Sequence, residues 1–223
     1  MSAVFIPSPP DQARARCADL LSQLRPLLSA PSTDATSTFR AAFDEVGGLS
    51  PEYASPELVE CLVSITLYFY LAAQPSLGVA PASEAVSHAR NLGDLKLLRK
   101  ALTSLGALYT ETGNLPGSTQ ALSEALQIAR KIGDPALEAP IWNNLGLALQ
   151  SAAQYGDALQ CFERAAAHAR ASTEFKAVER QASANIANCA LHLHDVRTGI
   201  RAVRKAIELN PNPSSAPECL SRV

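Results

Sequence analysis

The sequence predicts an all-α protein built from repeated pairs of antiparallel helices. Hydrophobic residues make up 47% of the 223 residues but aromatic residues only 5%, a balance that favours closely packed helices over sheets. The segment HARNLGD at residues 88–94 returns as IARKIGD at residues 128–134, forty residues later. Apolar residues around these segments recur at helical spacing. A fixed period combined with helical spacing indicates one helix pair used repeatedly.

Four segments follow from this pattern along the chain. Residues 1–10 are expected to be disordered, and residues 11–54 to form an N-terminal helix pair that is either a degenerate repeat or a cap. Residues 55–212 contain four repeats, and residues 213–223 form a disordered tail rich in Pro and Ser. Because no closing helix follows the fourth repeat, we expect the chain to continue in a longer protein, or another surface to cover this end.

The N-terminal pair is predicted from two helical stretches, residues 11–28 and residues 37–46. The segment SAPSTDATS separates them. Pro26 must bend or end the first helix, because a proline inside a helix removes one backbone hydrogen bond and clashes with the preceding turn.

The recurring heptapeptide predicts a joint between consecutive helix pairs. Arg130 and Lys131 sit near a helix C-terminus, where positive charge is favourable against the helix dipole. Gly133 is expected to take the left-handed conformation that ends the helix, and Asp134 to cap the next one.

The forty-residue match extends over whole units. Residues 105–130 align with residues 145–170, and a shift of forty-one brings in residues 184–212. Small residues occupy the positions where two helices would cross, which lets their backbones approach closely. These positions are Gly106, Gly146 and Ala187 on the first helices and Ser118, Ala158 and Gly199 on the second helices.

This pattern resembles the tetratricopeptide repeat family, whose consensus reads W-x2-L-G-x2-Y, then A-x3-F-x2-A and a late Pro. The fourth unit ends in AIELNPN, with Pro211 in the late Pro position, and the resemblance covers residues 61–212. Departures are a period longer than thirty-four and, in the first unit, Thr66 and Phe69 where Gly and Tyr are usual. The third unit matches best, through Trp142, Leu145, Gly146, Tyr155, Ala158, Phe162 and Ala165.

The resemblance implies a fold and a function. Forty-residue variants with A-R-x-x-G-D connectors occur in kinesin light chains and in bacterial signalling proteins. The implied fold is a right-handed superhelical solenoid of antiparallel helix pairs, and the implied function is a non-catalytic interaction module that binds a peptide or partner helix in its concave groove. The alternative is a regulatory or sensory segment of a larger signalling protein, acting by packing between modules or by self-association through the uncapped C-terminal end.

One column of residues resembles the groove-facing asparagines of the family. The residue before the Leu-Gly position reads Ser64, Ser104, Asn144 and Asn185 in successive units. A carboxamide offers a donor and an acceptor together, so it can pair with an extended peptide backbone. The alternative is that these amides bond to neighbouring helices. The predicted peptide-binding residues are Asn143, Asn144, Leu147, Asn185, Asn188, Ser104 and Lys100.

Lys100 enters this set for its charge. With Arg180, it could receive an acidic segment or a C-terminal carboxylate at the mouth of the groove. Pro140 interrupts this basic column, and a solvated face is the more common role of such residues.

The motifs needed for catalysis or metal binding are absent from the sequence, so an enzyme or a cofactor is not expected. His192 and His194 are two residues apart and therefore lie on different faces of a helix. His88 and His168 occupy nearly equivalent repeat positions, which indicates structural roles. The five cysteines lack a C-x-x-C pair and are expected to be small buried hydrophobes in a reducing compartment. They are Cys17, Cys61, Cys161, Cys189 and Cys219.

Charge and hydropathy limit the partner classes. The net charge is −2, and no run of like charges suggests nucleic acid or an anionic membrane. The N-terminal stretch lacks the features of a secretory signal. The longest apolar run, at residues 65–73, is about half the length that spans a bilayer. We therefore expect a cytoplasmic protein whose partner is a protein or peptide.

Overall fold

The computed structural model of the protein describes residues 9–29 and 32–210, and these ranges contain ten α-helices and no strand. The all-α prediction is confirmed. The expectations for residues 1–8 and for the tail after Asn210, including Pro211, lie outside the described residues. The helices are α1 Pro9–Leu24, α2 Thr33–Val46, α3 Pro56–Leu71, α4 Pro75–Leu92, α5 Leu95–Glu111, α6 Leu115–Ile132, α7 Ala139–Ser151, α8 Tyr155–Ala169, α9 Lys176–His192 and α10 Val196–Glu208.

Four short 3-10 helices connect some of these elements. They span Arg25–Ser29, Pro51–Tyr53, Pro135–Glu138 and Thr173–Phe175. Within the described ranges, no helix combines the length and the apolar content that crossing a bilayer requires.

The chain divides into two compact units, Met1–Ile128 and Ala129–Val223. In the first unit, α3 packs against α4 and α4 against α5. In the second unit, α7 packs against α8, α8 against α9 and α9 against α10. The loops between these neighbours are short, so consecutive helices run antiparallel. The predicted helix pairs are therefore present.

The helices α1 and α2 pack chiefly on α3. The first helix ends at Leu24, earlier than predicted, because the segment with Pro26 continues as a 3-10 turn. Phe39 of α2 stacks on Tyr68 of α3, with ring centroids 3.9 Å apart. The Tyr68 hydroxyl donates to the backbone carbonyl of Ser32 at 2.8 Å. These contacts join the N-terminal helices to the core of the first unit.

Two kinds of joint alternate along the chain. Between pairs, Gly93 and Gly133 adopt φ values of 69° and 81°, and each following aspartate, Asp94 and Asp134, accepts backbone N–H groups of the next turn. The predicted left-handed stop is present at both joints. Asp94 caps α5, whereas Asp134 caps the 3-10 helix Pro135–Glu138 that precedes α7. Within pairs, the left-handed residues are Ala73, Gly113, Ala153 and His194.

The close helix crossings occur at the predicted glycines. A Cβ added to Gly106 would lie 2.6 Å from Leu122 Cγ, and one added to Gly146 would lie 2.5 Å from Phe162 Cε1. Real Cβ contacts are essentially never that short, so only glycine fits without displacement. The fourth pair is looser, because a Cβ on Gly199 would be an ordinary 3.7 Å from the Ala190 Cβ.

Candidate functional site

Polar side chains of α7 and α9 form what we call the amide surface, which consists of Asn143, Asn144 and Gln150 on α7 and Asn185 and Asn188 on α9. All five belong to the second unit, in which α7 and α9 contact each other. Asn143 and Gln150 are seven residues apart, about two helical turns, so they lie on one side of α7.

Two hydrogen bonds connect the helices across this surface. Asn185 Nδ2 donates to Asn143 Oδ1 at 3.2 Å. Further along the same helices, Gln150 Nε2 donates to Asn188 Oδ1 at 3.1 Å. Asn143 is only 3% exposed, so it supports Asn185 and does not itself present an open contact. Of the two asparagines in the column, Asn185 therefore bonds to a neighbouring helix.

These bonds leave polar atoms of the amide surface unused. Gln150 Oε1 is buried and has no hydrogen-bond partner. Asn144 is half-buried, and its side chain bonds to no described residue. In addition, the bonds above do not use the side-chain Oδ1 of Asn185 or the side-chain Nδ2 of the exposed Asn188. The Gln150 oxygen is fully covered and does not face a ligand. Asn144, Asn185 and Asn188 are at least partly exposed, so they can present their unused amide atoms to one.

Leu147 supplies an apolar element beside these amides. It is partly buried and packs against a core cluster of Ala158, Phe162 and Cys189. Its position is therefore held by the core of the second unit.

Ser104 and Lys100 lie on α5, in the first unit. The Ser104 hydroxyl donates to the Lys100 carbonyl at 3.2 Å, and Ser64 on α3 makes the same kind of bond to the Glu60 carbonyl at 2.8 Å. The two serines of the column thus satisfy their hydroxyls within their own helices. Lys100 itself is exposed.

The histidines have structural surroundings. His192 stacks on Tyr155 with ring centroids 4.0 Å apart, and His194 occupies the left-handed turn before α10. His88 is buried, and burial lowers the pKa of its imidazole despite the nearby carboxylate of Glu84. The neutral imidazole is thus favoured at His88.

The described cysteines are free thiols, Cys17, Cys61, Cys161 and Cys189. Burial raises the pKa of Cys17 and Cys189 to about 11 and that of Cys61 to about 12. These thiols are protonated at neutral pH and are therefore poor nucleophiles. Cys219 lies outside the described residues. In the part of the chain that the structure describes, no group of three or more His, Cys, Asp or Glu could hold a metal ion.

Trp142 is packed in the second unit, with its ring held from two sides. Its Nε1 donates to Glu138 Oε2 at 3.1 Å, and the guanidinium of Arg164 lies 4.7 Å from the ring centroid. Glu138 also lies 3.8 Å from Arg130 and 3.9 Å from His168. Trp142 is therefore part of the core of the second unit.

The joint between α8 and α9 is stabilised by contacts that the repeat pattern does not indicate. It lacks a Gly-Asp pair, and instead the buried Glu179, 1% exposed, accepts hydrogen bonds from Arg170 at 3.1 Å and from Lys176 at 3.0 Å. Burial acts to raise the pKa of Glu179, but the hydrogen bonds from Lys176 and Arg170 outweigh it and hold this pKa below its ordinary value. An ion pair connects these two helices where the earlier joints use backbone conformation.

Glu179→Gln is expected to lower the free energy of unfolding by about 1–3 kcal/mol at neutral pH, because it removes charged hydrogen bonds. Since the folded pKa lies below the ordinary value of 4.5, this stabilisation is present above pH 4.5 and is lost as the pH falls through the folded pKa. Denaturant unfolding at pH 7 and at about pH 3 should therefore show a deficit that shrinks in acid. Glu174→Gln, an exposed change at the same joint, is the control, and a deficit independent of pH would contradict the interpretation.

Comparison with known proteins agrees with the helix-pair fold. The tetratricopeptide repeat family matches residues 86–171, from within α4 to just beyond α8. No curated protein matches the chain.

Three solved structures illustrate the likeness in fold. A Rap protein complexed with competence and sporulation factor has a TM-score of 0.70 at 16% identity, over 94% of this chain and 55% of that one. A putative kinesin light chain from Podosopora anserina has a TM-score of 0.63 at 11% identity, over 88% and 95%. Bacillus thuringiensis PlcR, in complex with the peptide PapR7 and DNA, has a TM-score of 0.58 at 14% identity, over 98% and 75%.

The present chain thus spans just over half the length of the Rap protein. Residues 86–171 match the model of the tetratricopeptide repeat family. The described helices continue the same helix-pair pattern on both sides of this range, so the chain is similar in fold to tetratricopeptide-repeat proteins.

Proposed function

We propose that the protein is a non-catalytic interaction module and that the amide surface binds the backbone of an extended peptide segment. The observation that carries this proposal is that Asn144 and Asn188 are at least partly exposed and keep side-chain amide atoms that bond to no described residue. A peptide backbone could pair with these donors and acceptors. Leu147 adds an apolar contact. The fold likeness to proteins such as PlcR, which was solved with a peptide, supports the same class of function.

Asn144 and Asn185 contribute differently in this proposal. Asn144 has no described partner, so its amide is available to a ligand. Asn185 already bonds to the buried Asn143, so it both orients the surface and offers its own carbonyl oxygen.

The test uses peptides selected from a displayed random-sequence library against the wild-type protein. Asn144→Ala is expected to weaken binding of the selected peptides by about 0.5–1.5 kcal/mol, roughly two- to tenfold, with little change in melting temperature. Asn185→Ala should weaken binding and also destabilise the fold by about 1–3 kcal/mol, because it leaves the buried Asn143 Oδ1 unpaired.

The matched control is Gln160→Ala, an exposed amide on α8, which should change neither quantity. The double variant Asn144→Ala/Asn185→Ala should bind more weakly than either single variant. If Asn144→Ala, Asn185→Ala and the double variant all bind the selected peptides as tightly as the wild type, the amide surface is not the binding site.

A second function, packing against another module, is supported by a separate observation at the last helix. Val196, Ile200 and Ile207 form a stripe on α10, and Val196 and Ile200 are 72% and 51% exposed. Leu191 and Leu193, at and just beyond the end of α9, are also exposed. Such a surface fits a regulatory segment that packs against a neighbouring module or a second copy. Under this alternative, variants of Val196 and Ile207 would change association and leave peptide selection on the amide surface intact.

A further inference from the structure

A cleft of about 830 Å³ opens in the second unit beside α10. Glu163, Ala166 and Arg170 of α8 line one side, and residues from Arg197 to Glu208 of α10 line the other. The helix α9, which packs against both α8 and α10, contributes Ser183 and Ile186. The volume lies within the range of about 300–1,000 Å³ that is typical of ligand sites.

The cleft is separate from the amide surface. With 3.6 residues per turn, the mean direction of Ser183 and Ile186 is about 160° from the mean direction of Asn185 and Asn188 around the axis of α9. A ligand in this cleft therefore contacts the opposite side of α9.

The charge of the cleft is predominantly positive. Five basic side chains line it against two carboxylates, Glu163 and Glu208. Two of the five are engaged, because Arg170 binds Glu179 and Lys205 binds Glu208. The other three form no salt bridge with any residue in the described ranges, and they are Arg197, Arg201 and Arg204.

Apolar side chains line the cleft together with these three arginines. Ile200 is 51% exposed although it is a large aliphatic residue, and Ile186 is partly buried in the same cleft. Ala166 and Ala202 are buried at its walls. A partner that supplies only negative charge would leave this apolar area exposed, so the fitting partner also carries aliphatic groups.

We propose that this cleft binds an acidic peptide segment of a partner protein, with carboxylates on the arginines of α10 and an aliphatic side chain between Ile186 and Ile200. Arginine binds carboxylates through paired N–H groups, which fixes the orientation of the segment. Nucleic acid fits less well. The lining contains no aromatic residue on which a base could stack.

The experiment uses the full chain and a fluorescein-labelled synthetic peptide in which leucines are flanked by glutamates. Fluorescence anisotropy should show saturable binding that weakens as salt is added. Changing the glutamates to glutamines should reduce the affinity about tenfold or more, and changing the leucines to serines should also reduce it. The double variant Arg197→Glu/Arg201→Glu should lose about tenfold or more in affinity for the acidic peptide.

The double variant Lys96→Glu/Lys131→Glu, which reverses the same number of charges at exposed positions outside the cleft, should bind as the wild type does. Because the arginines are exposed, circular dichroism should show that the variants remain folded. Ile200→Ser tests the apolar contact in the cleft. It should weaken peptide binding without changing the salt dependence of that binding.

Three outcomes would overturn the proposal. In the first, the acidic peptide does not bind, or binds the double variant as tightly as the wild type. In the second, inorganic phosphate or single-stranded polyuridine competes as effectively as unlabelled acidic peptide, which would show a general anion site. In the third, sedimentation shows that the wild type self-associates and the double variant does not, which would assign the cleft to a second copy of the chain.

Discussion

Replacing Gly146 with leucine is expected to lower the free energy of unfolding by about 3 kcal/mol or more, the upper end of the cost of overpacking a core. The first side-chain atom alone would lie 2.5, 2.7 and 2.8 Å from three ring atoms of Phe162. Phe162 is fully buried, and a packed interior offers its ring no free space to move into. Either α7 must shift away from α8, or the ring must leave its position. Denaturant unfolding of the full chain measures the loss.

Gly156 provides a matched control for this substitution. It lies in the first turn of α8, and a Cβ added there would meet no atom within 4 Å. Gly156→Ala should therefore leave stability unchanged or raise it by up to about 1 kcal/mol, since alanine is the better helix former. In a double-mutant cycle, Gly146→Ala should cost less stability in a protein that already carries Phe162→Leu than in the wild type, because leucine is smaller than phenylalanine. A Gly146→Leu protein with wild-type stability would show that α7 and α8 do not cross here.

Trp142→Ala is expected to cost about 3–5 kcal/mol, as large aromatic deletions from cores do. The indole is 9% exposed, so its removal leaves a large cavity. The deletion also removes the Nε1–H group that donates to Glu138, and the ring that lies beneath the Arg164 guanidinium. Because Trp142 is the single tryptophan, unfolding must be followed by far-ultraviolet circular dichroism, since the variant has no indole fluorescence.

Trp142→Phe separates packing from hydrogen bonding. It keeps most of the buried ring but loses the Nε1–H group, so we expect a cost nearer 1 kcal/mol. If Phe proved as costly as Ala, the bond to Glu138 would dominate and the packing argument would be wrong.

Much of the fold could be predicted because certain backbone positions accept only certain residue types. Gly133 followed by Asp134 predicts both a left-handed stop and a cap, and both are present. Gly146 predicts a crossing that only a residue without a side chain permits. The joint between α8 and α9 could not be predicted in this way. It depends on Arg170 and Lys176 meeting Glu179, and nothing in the spacing of these residues distinguishes them from surface charges.

The candidate site was only partly predictable for the same reason. Aligning the repeats placed Asn144 and Asn185 in one column, since that step needs only the period. The bond from Asn185 to Asn143 depends on how α7 packs on α9, which no single helix pattern encodes. Gln150 was missed, although its seven-residue distance from Asn143 places it on the same side of α7. That spacing is the signal that could have indicated it.

The turns inside each pair have a consequence for how such a chain can change in length. Ala73, Ala153 and His194 are left-handed, and each is followed by a backbone N–H that bonds to the carbonyl five residues earlier, at 2.9, 2.9 and 2.8 Å. Main-chain atoms alone close these turns, so residues as different as alanine and histidine occupy the same place. A genetic duplication or deletion that begins and ends at two such turns would join matching backbones without breaking a side-chain contact in the turn. These turns are thus natural breakpoints for gaining or losing whole repeat units.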